Sequence, residues 1–180
     1  MVSSPVSPEL QERVTNLHML LLDVDGVMTD GGIILIGADG EGKRFDAQDG
    51  MGISLAQKAG LRVGIITGRS SAAIEHRAAE LGIVDLFQGI ADKTEILDLL
   101  VEKYDTQPLQ TAYIGDDIQD IPIMRKVGVP IGVENAADLV KKHSLYVTRA
   151  GGGHGAVREA VDWILELKGC RDEIYRSITG

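Results

Sequence analysis

Short apolar runs recur along this chain, and stretches with helical spacing separate them. Leu20-Leu21-Leu22, Leu61 to Ile66, Thr111 to Ile114 and Val129 to Val133 have the length and composition of buried strands. Between the first two, Ile53, Leu55, Ala56 and Ala59 return with helical period, and Gly60 supplies a stop. Further helices are expected over Ser71 to Leu81 with Gly82 as terminator, Lys93 to Tyr104, from Asp120 to near Gly128, Ala136 to Lys142 and Ala156 to Leu167. Strand-helix alternation of this kind predicts an α/β fold, with an open, mostly parallel sheet covered by helices on both faces.

Two segments interrupt the alternation. Pro8 to Thr15 reads as a short helix, with Ser7 as its cap and Pro8 at the first helical position. After the first strand, Ile33 to Ile36, the turn-rich Gly37 to Gly42 and Lys43 to Asp46 read as a projecting β-hairpin. Its four consecutive apolar residues exceed what one buried face needs, so contact with another subunit and packing on its own domain are both open. The expected organisation is an N-terminal extension over 1–18, one domain over 19–167 with the hairpin at about 26–46, and a C-terminal tail over 168–180 that could reach an adjacent site.

A chain of 180 residues with 44% hydrophobic content suits one globular domain with a substantial core. The formal charge of −9, from 18 Lys+Arg and 27 Asp+Glu, argues against general affinity for nucleic acid or an anionic membrane. Cys170 is the lone cysteine, which excludes an intrachain disulfide and suits a reducing cytoplasm. The first residues carry neither a basic nor a long apolar region, so no signal peptide is expected.

The polar residues that stand out fall where strands end. Asp23 and Asp25 follow the first strand, Thr67 the second and Asp116, Asp117 and Asp120 a later one, while Lys93 opens a helix. In an open α/β sheet these boundaries border one crevice. Alternate strand residues share a face, so Asp23 and Asp25 could point together. A divalent cation would explain the carboxylates, since Mg²⁺ prefers hard oxygen ligands and keeps waters that a phosphate can replace. Asp23 could then attack phosphorus, Asp25 serve as general acid and base, and Thr67 and Lys93 hold the phosphoryl oxygens. Taken singly, each residue has a blander role: Thr67, Asp116 and Asp117 as helix caps, Lys93 as a solvated helix residue, Asp120 on a turn. Their joint placement favours the chemistry. Arg69 and Arg77 are candidate contacts for a substrate anion, set against ordinary surface pairing. The four histidines have no metal-ligand spacing, and Gly151 to Gly155 reads either as a mobile loop near the site or as a plain linker.

Asp23-Val24-Asp25-Gly26, Thr67-Gly68-Arg69, Lys93 and Gly115-Asp116-Asp117-Ile118-Gln119-Asp120 occur in the order of the four motifs of the haloacid dehalogenase-like phosphatases, which the chain resembles. The resemblance implies a Rossmann-like fold, Asp23 as nucleophile, Asp25 as acid and base, and Mg²⁺ held by Asp23, the Asp25 backbone carbonyl and Asp116. Asp117 and Asp120 would stand behind the metal. Apart from the resemblance, the residues expected to meet substrate are Thr67, Gly68, Arg69, Lys93 and Arg77.

More narrowly, from about Met19 to Leu165 the chain is similar to the 3-deoxy-D-manno-octulosonate 8-phosphate phosphatases. The hairpin, Phe45 to Ile53, Thr67 to Ser71 and Gly155 to Glu159 carry that likeness. One departure is Asp46-Ala47-Gln48, where that family often has Asn, an apolar residue and a basic one.

The segment from Thr67 to Lys93 holds a helix and a short strand, with no room for an inserted cap domain. Capless members of this superfamily resemble one another in forming tetramers whose neighbouring subunits wall the site, so a homotetramer is expected. The expected activity is Mg²⁺-dependent hydrolysis of 3-deoxy-D-manno-octulosonate 8-phosphate, in lipopolysaccharide precursor synthesis. The alternatives are a phosphatase of a nine-carbon sugar acid 9-phosphate, a phosphoacceptor module and a partner-binding subunit.

Overall fold

The computed structural model describes residues 7–37 and 40–180. In chain order its elements are α1 (Pro8–Thr15), β1 (Met19–Leu22), β2 (Ile34–Ile36), β3 (Gly40–Gly42), α2 (Ala47–Lys58), β4 (Arg62–Ile66), α3 (Ala72–Glu80), β5 (Asp85–Phe87), α4 (Lys93–Lys103), β6 (Thr111–Gly115), α5 (Ile121–Met124), β7 (Val129–Gly132), α6 (Asp138–His143), β8 (Tyr146–Val147), α7 (Ala156–Leu167) and α8 (Arg171–Thr179). Six strands form one parallel sheet in the order β5-β4-β1-β6-β7-β8. The strand order reverses direction at β1, and the crevice at such a switch point is where open α/β sheets bind ligands.

Strand β1 is the middle of the core. Leu20, Leu21 and Leu22 are fully buried between β4 and β6, paired as Leu22↔Ile65 and Leu22↔Ile114 at the carboxyl end. Burial on both faces explains why these strands read as continuous apolar runs. On one side α7 buries Val157, Ala160, Val161, Ile164 and Leu165, while α2 buries Ile53, Leu55 and Ala56. Burying such a side chain contributes about 1.5–3 kcal/mol, so this layer holds the sheet ends in place.

The structure differs from the sequence expectation at the hairpin, after β6 and in the tail. The second hairpin strand is β3 at Gly40–Gly42 rather than Lys43 to Asp46, with Ile34 opposite Gly42 and Ile36 opposite Gly40. A Cβ on Gly40 would lie 2.5 Å from the Ile36 carbonyl oxygen, so the tight pairing depends on glycine there. Of the expected turn over 37–42, positions 38 and 39 lie outside the described residues, as does 1–6 of the N-terminal extension. The helix expected up to Gly128 is a 3₁₀ turn, Ile118–Asp120, followed by the four-residue α5, with Pro122 in its first turn. The tail forms α8, whose Tyr175 hydroxyl donates to Asp162 of α7 at 2.7 Å and accepts from Arg158 at 2.8 Å.

The apolar strand of the hairpin is not covered by its own domain, although Glu41 of β3 pairs with Arg69. Ile33, Ile34, Leu35 and Ile36 are 46%, 48%, 76% and 61% exposed. Among the described residues, no helix is long and apolar enough to cross a membrane.

Candidate active site

Strand β1 ends at Leu22, and the Asp23 amide continues the ladder by donating to the Ile114 carbonyl at 3.0 Å. The chain then turns sharply, with the amides of Val27, Met28 and Thr29 all directed at the Val24 carbonyl. Asp25 is therefore a loop residue, and strand alternation does not govern it. Val24 returns to the core as expected, while the two carboxylates acquire different partners.

Asp23 is 2% exposed and accepts from Lys93 Nζ at 2.8 Å. That ammonium, in the first turn of α4, also donates to Asp120 Oδ1 at 2.7 Å and to the Tyr113 hydroxyl at 2.9 Å, which uses all three of its N–H donors. Tyr113 donates in turn to Asp120 Oδ1 at 2.6 Å. The other Asp120 oxygen accepts from the Asp116 and Asp117 amides at 3.0 and 3.2 Å. Asp120 is fully buried and fully engaged, so it braces the acidic loop. Asp117 is exposed and caps the 3₁₀ turn, accepting from the Ile118 amide at 2.7 Å.

Asp116 differs from these, because its Oδ1 is buried without a hydrogen-bond partner. Carboxylate oxygens of Asp23, Asp116 and Asp120 lie within 4.8 Å of one another, with a single lysine to offset three charges. Burial, reinforced by the charges of Asp23, Asp120 and Asp117, pushes the Asp116 carboxyl up to about 8. Burial likewise lifts Asp23 to about 6, against the pull of Lys93. Lys93 itself is pulled down by burial, but Asp23 and Asp120 outweigh this and leave it above its usual value. Gly26, at φ +93°, lies so close that a Cβ there would sit 2.0 Å from Asp116 Oδ2. An unpaired hard oxygen, excess negative charge and a glycine cradle fit a divalent cation held by Asp23 and Asp116.

Asp25 is half-buried and faces cations. Lys43, just past β3 with its side chain fully buried, pairs with both Asp25 and Glu41, and the Lys43–Glu41 distance is 2.8 Å. Arg69 lies 3.8 Å from Asp25 Oδ2 through Nε and also pairs with Glu41. The hairpin thus carries an ion pair to the acid loop. Thr67 is 1% exposed at the end of β4, its amide donating to the Phe87 carbonyl at 3.0 Å and its hydroxyl accepting from the Arg69 amide at 3.3 Å. Gly68 is exposed on the same turn. Arg77 is occupied elsewhere: it pairs with Glu80 at 2.8 Å, donates to the Asp46 carbonyl at 3.2 Å, and helps line a cleft of about 350 Å³ with Lys43 and Phe45. No ion pair or hydrogen bond among the described residues links Arg77 to the acidic cluster.

Tyr113, Glu41 and Lys43 escape the sequence reading. A tyrosine inside a buried strand must find a partner for its hydroxyl, which was the available signal for Tyr113. The hairpin pair leaves no comparable trace, because charged residues beside glycines are ordinary in turns. The departure at Asp46-Ala47-Gln48 has a partial account, since Asp46 caps α2 by accepting from the Gln48 and Asp49 amides at 2.7 and 3.2 Å. Asn can do the same.

The sequence profile of haloacid dehalogenase-like hydrolases matches residues 77–159. A 3-deoxy-D-manno-octulosonate 8-phosphate phosphatase of Salmonella typhimurium is 44% identical over 170 residues, covering 94% of this chain and 90% of that protein. The crystal structure of the enzyme of that name from Moraxella catarrhalis, in complex with magnesium, phosphate and KDO, superposes with a TM-score of 0.91 at 37% identity. It covers 96% of this chain and 99% of that one. The cobalt-bound deoxy-D-mannose-octulosonate 8-phosphate phosphatase from Haemophilus influenzae gives a TM-score of 0.85 at 36% identity, covering 88% and 93%. With 44% identity over nearly the full length of both chains and a superposition at a TM-score of 0.91, this chain belongs to the 3-deoxy-D-manno-octulosonate 8-phosphate phosphatase family of haloacid dehalogenase-like hydrolases.

Proposed function

We propose that this protein is a Mg²⁺-dependent phosphatase of 3-deoxy-D-manno-octulosonate 8-phosphate, releasing the free sugar acid for lipopolysaccharide precursor synthesis in the cytoplasm. The observation that carries this reading is the buried, unpaired Asp116 oxygen beside Asp23, at the end of the strand that the sheet is built around. The names of the relatives support the substrate.

Bound by the carboxylates of Asp23 and Asp116 and the Asp25 backbone carbonyl, Mg²⁺ would neutralise charge on the transferring phosphoryl group. The free oxygen of Asp23 attacks phosphorus, forming an aspartyl phosphate as the bond to the sugar oxygen breaks. Asp25 gives its proton to the departing alkoxide. A water then attacks the aspartyl phosphate, Asp25 takes the proton, and phosphate leaves with Asp23 restored. Lys93 aims the nucleophile through the 2.8 Å bond to Asp23 Oδ1 and lowers the charge that an incoming phosphate meets. Thr67 and Gly68 border the phosphoryl group, and Arg69 lies where the rest of the substrate must pass. Arg77 meets substrate only if it leaves Glu80. Asp117 and Asp120 act behind the metal, as their hydrogen bonds to the acidic loop favour.

The exposed Ile33 to Ile36 supports a homotetramer in which a neighbour's hairpin closes the open site. The test is phosphate release from a panel of eight- and nine-carbon sugar acid phosphates, with and without Mg²⁺. The highest kcat/KM should fall on 3-deoxy-D-manno-octulosonate 8-phosphate, and chelation should abolish it. Preference for a nine-carbon 9-phosphate would replace the substrate, and a long-lived phosphoprotein without turnover would refute the enzyme.

A further inference from the structure

The glycine-rich loop of residues 151–155 has no part in the chemistry above, yet it packs on the turn that follows Asp25. A Cβ at Gly152 would fall 1.8 Å from the Gly26 carbonyl oxygen, and one at Gly153 would fall 2.6 Å from the Asp30 amide. The Gly153 amide donates to the Val27 carbonyl at 3.0 Å. This approach has a clasp. Asn135, between β7 and α6, donates from Nδ2 to the Gly26 carbonyl at 3.1 Å and accepts at Oδ1 from the Gly152 amide at 2.6 Å.

The same short connection reaches the other acid loop, because the Ala137 amide donates to the Asp116 carbonyl at 2.8 Å. Residues 135–137 therefore hold the backbone beside Asp25 and the backbone of Asp116 at once. The two loops meet where Gly26 lies against Asp116 Oδ2. Asn135 is exposed, and an exposed asparagine ordinarily tolerates replacement within about 0.5 kcal/mol. Here its amide group is used at both ends, and both ends bear on the segment beside the acids.

We propose that Asn135 is a positioning residue that clamps the Gly26 peptide between the glycine-rich loop and Asp116, and so sets the spacing of the two acid-bearing loops. The inference rests on the Mg²⁺-dependent reading given above. Groups that hydrogen-bond a metal ligand typically alter its affinity 10–100-fold, and Asn135, one peptide further out, is expected at the lower end of that range. Slight misplacement of reacting groups lowers the chemical step while leaving substrate binding nearly intact.

The test compares wild type with Asn135→Ala in two measurements: the thermal shift of metal-free protein titrated with Mg²⁺, and steady-state kinetics on the sugar phosphate. The metal-free Tm should stay close to wild type. The Mg²⁺ concentration at half the maximal shift should rise about tenfold. At saturating Mg²⁺, kcat should fall about tenfold with KM changed less than about twofold. Unchanged Mg²⁺ affinity and kcat would overturn the proposal, and so would a lower metal-free Tm with both preserved, since Asn135 would then merely staple a loop. A wild type indifferent to Mg²⁺ in both measurements would instead defeat the phosphatase reading and this inference with it.

Discussion

The two ends of the parallel sheet treat buried carboxylates in opposite ways. At the amino end, Asp85 opens β5 and both its oxygens are matched, by Lys103 at 2.7 Å and by the Tyr104 hydroxyl at 2.6 Å. Arg62 stacks over the Tyr104 ring at 4.0 Å and closes the group. At the carboxyl end, Asp23 and Asp120 share Lys93, and Asp116 beside them has one oxygen with no partner. The matched end is a structural knot, whereas the unmatched end awaits a cation and a phosphate. Open clefts of about 360 and 560 Å³ lie at the matched end. Their size carries less functional weight than the unbalanced charge, because the catalytic chemistry needs ionisable groups held without protein partners.

Removing the central cation from each end should give the largest contrast. Lys93→Met leaves buried carboxylates uncompensated, a change that typically costs about 3–5 kcal/mol. In a chain of this size the Tm should drop by roughly 10 °C, with turnover lost. Lys103→Met removes a cation that is 45% exposed and leaves Tyr104 on Asp85, so it should cost under about 1 kcal/mol and spare kcat. Thermal melts and kinetics of the two variants check this. Equal losses would erase the distinction between the ends.

A pH scan sharpens the same contrast. Burial pushes Asp23 up to about 6 and, with the neighbouring carboxylates, Asp116 up to about 8 in the metal-free fold, both above the ordinary value of 3.8. The folded state therefore binds more protons than the unfolded one across this window, and stability falls as pH rises from about 4 to about 8. Metal-free protein should melt several degrees lower at pH 8 than at pH 5, and Mg²⁺ should recover much of the difference at pH 8. A Tm that rises over that range would mean that the acidic end is already balanced.

The legibility of the two ends differs for the same physical reason. The parallel sheet was readable because strands buried on both faces leave long apolar runs, and Ala156 to Leu167 was readable because one face of α7 is almost wholly buried. Asp23, Thr67, Lys93 and Asp116 were readable because strand ends place them at one border. Boundaries set by single side-chain contacts were harder. Asp120 ties up the acidic loop and shortens the following helix to α5, which no periodicity reveals. Strand alternation allows Asp25 to share a face with Asp23, but only the folded chain shows that the turn at Val24 brings its carboxylate to Lys43 and Arg69. Asn135, Tyr113 and the Glu41–Lys43 pair act across long sequence separations, where only the folded chain shows who meets whom.

The smallest effect on chain stability is expected at the hairpin. Leu35→Ser, at a side chain 76% exposed, should change the stability of the isolated subunit by no more than about 0.5 kcal/mol. Its consequence should appear in size-exclusion chromatography, as a shift to smaller species, and in a raised KM if a neighbour completes the site. An unchanged elution volume would leave the apolar hairpin without the assigned partner.

In the proposed reaction Asp23, buried at the end of the middle strand and aimed by Lys93, attacks phosphorus. Asp23→Asn preserves its shape and removes its charge, so the most direct measurement is phosphate release by this variant at saturating Mg²⁺ and sugar phosphate. The expected result is a loss of at least about 10³-fold in kcat, as when a covalent nucleophile is removed. Turnover within a few fold of wild type would contradict it.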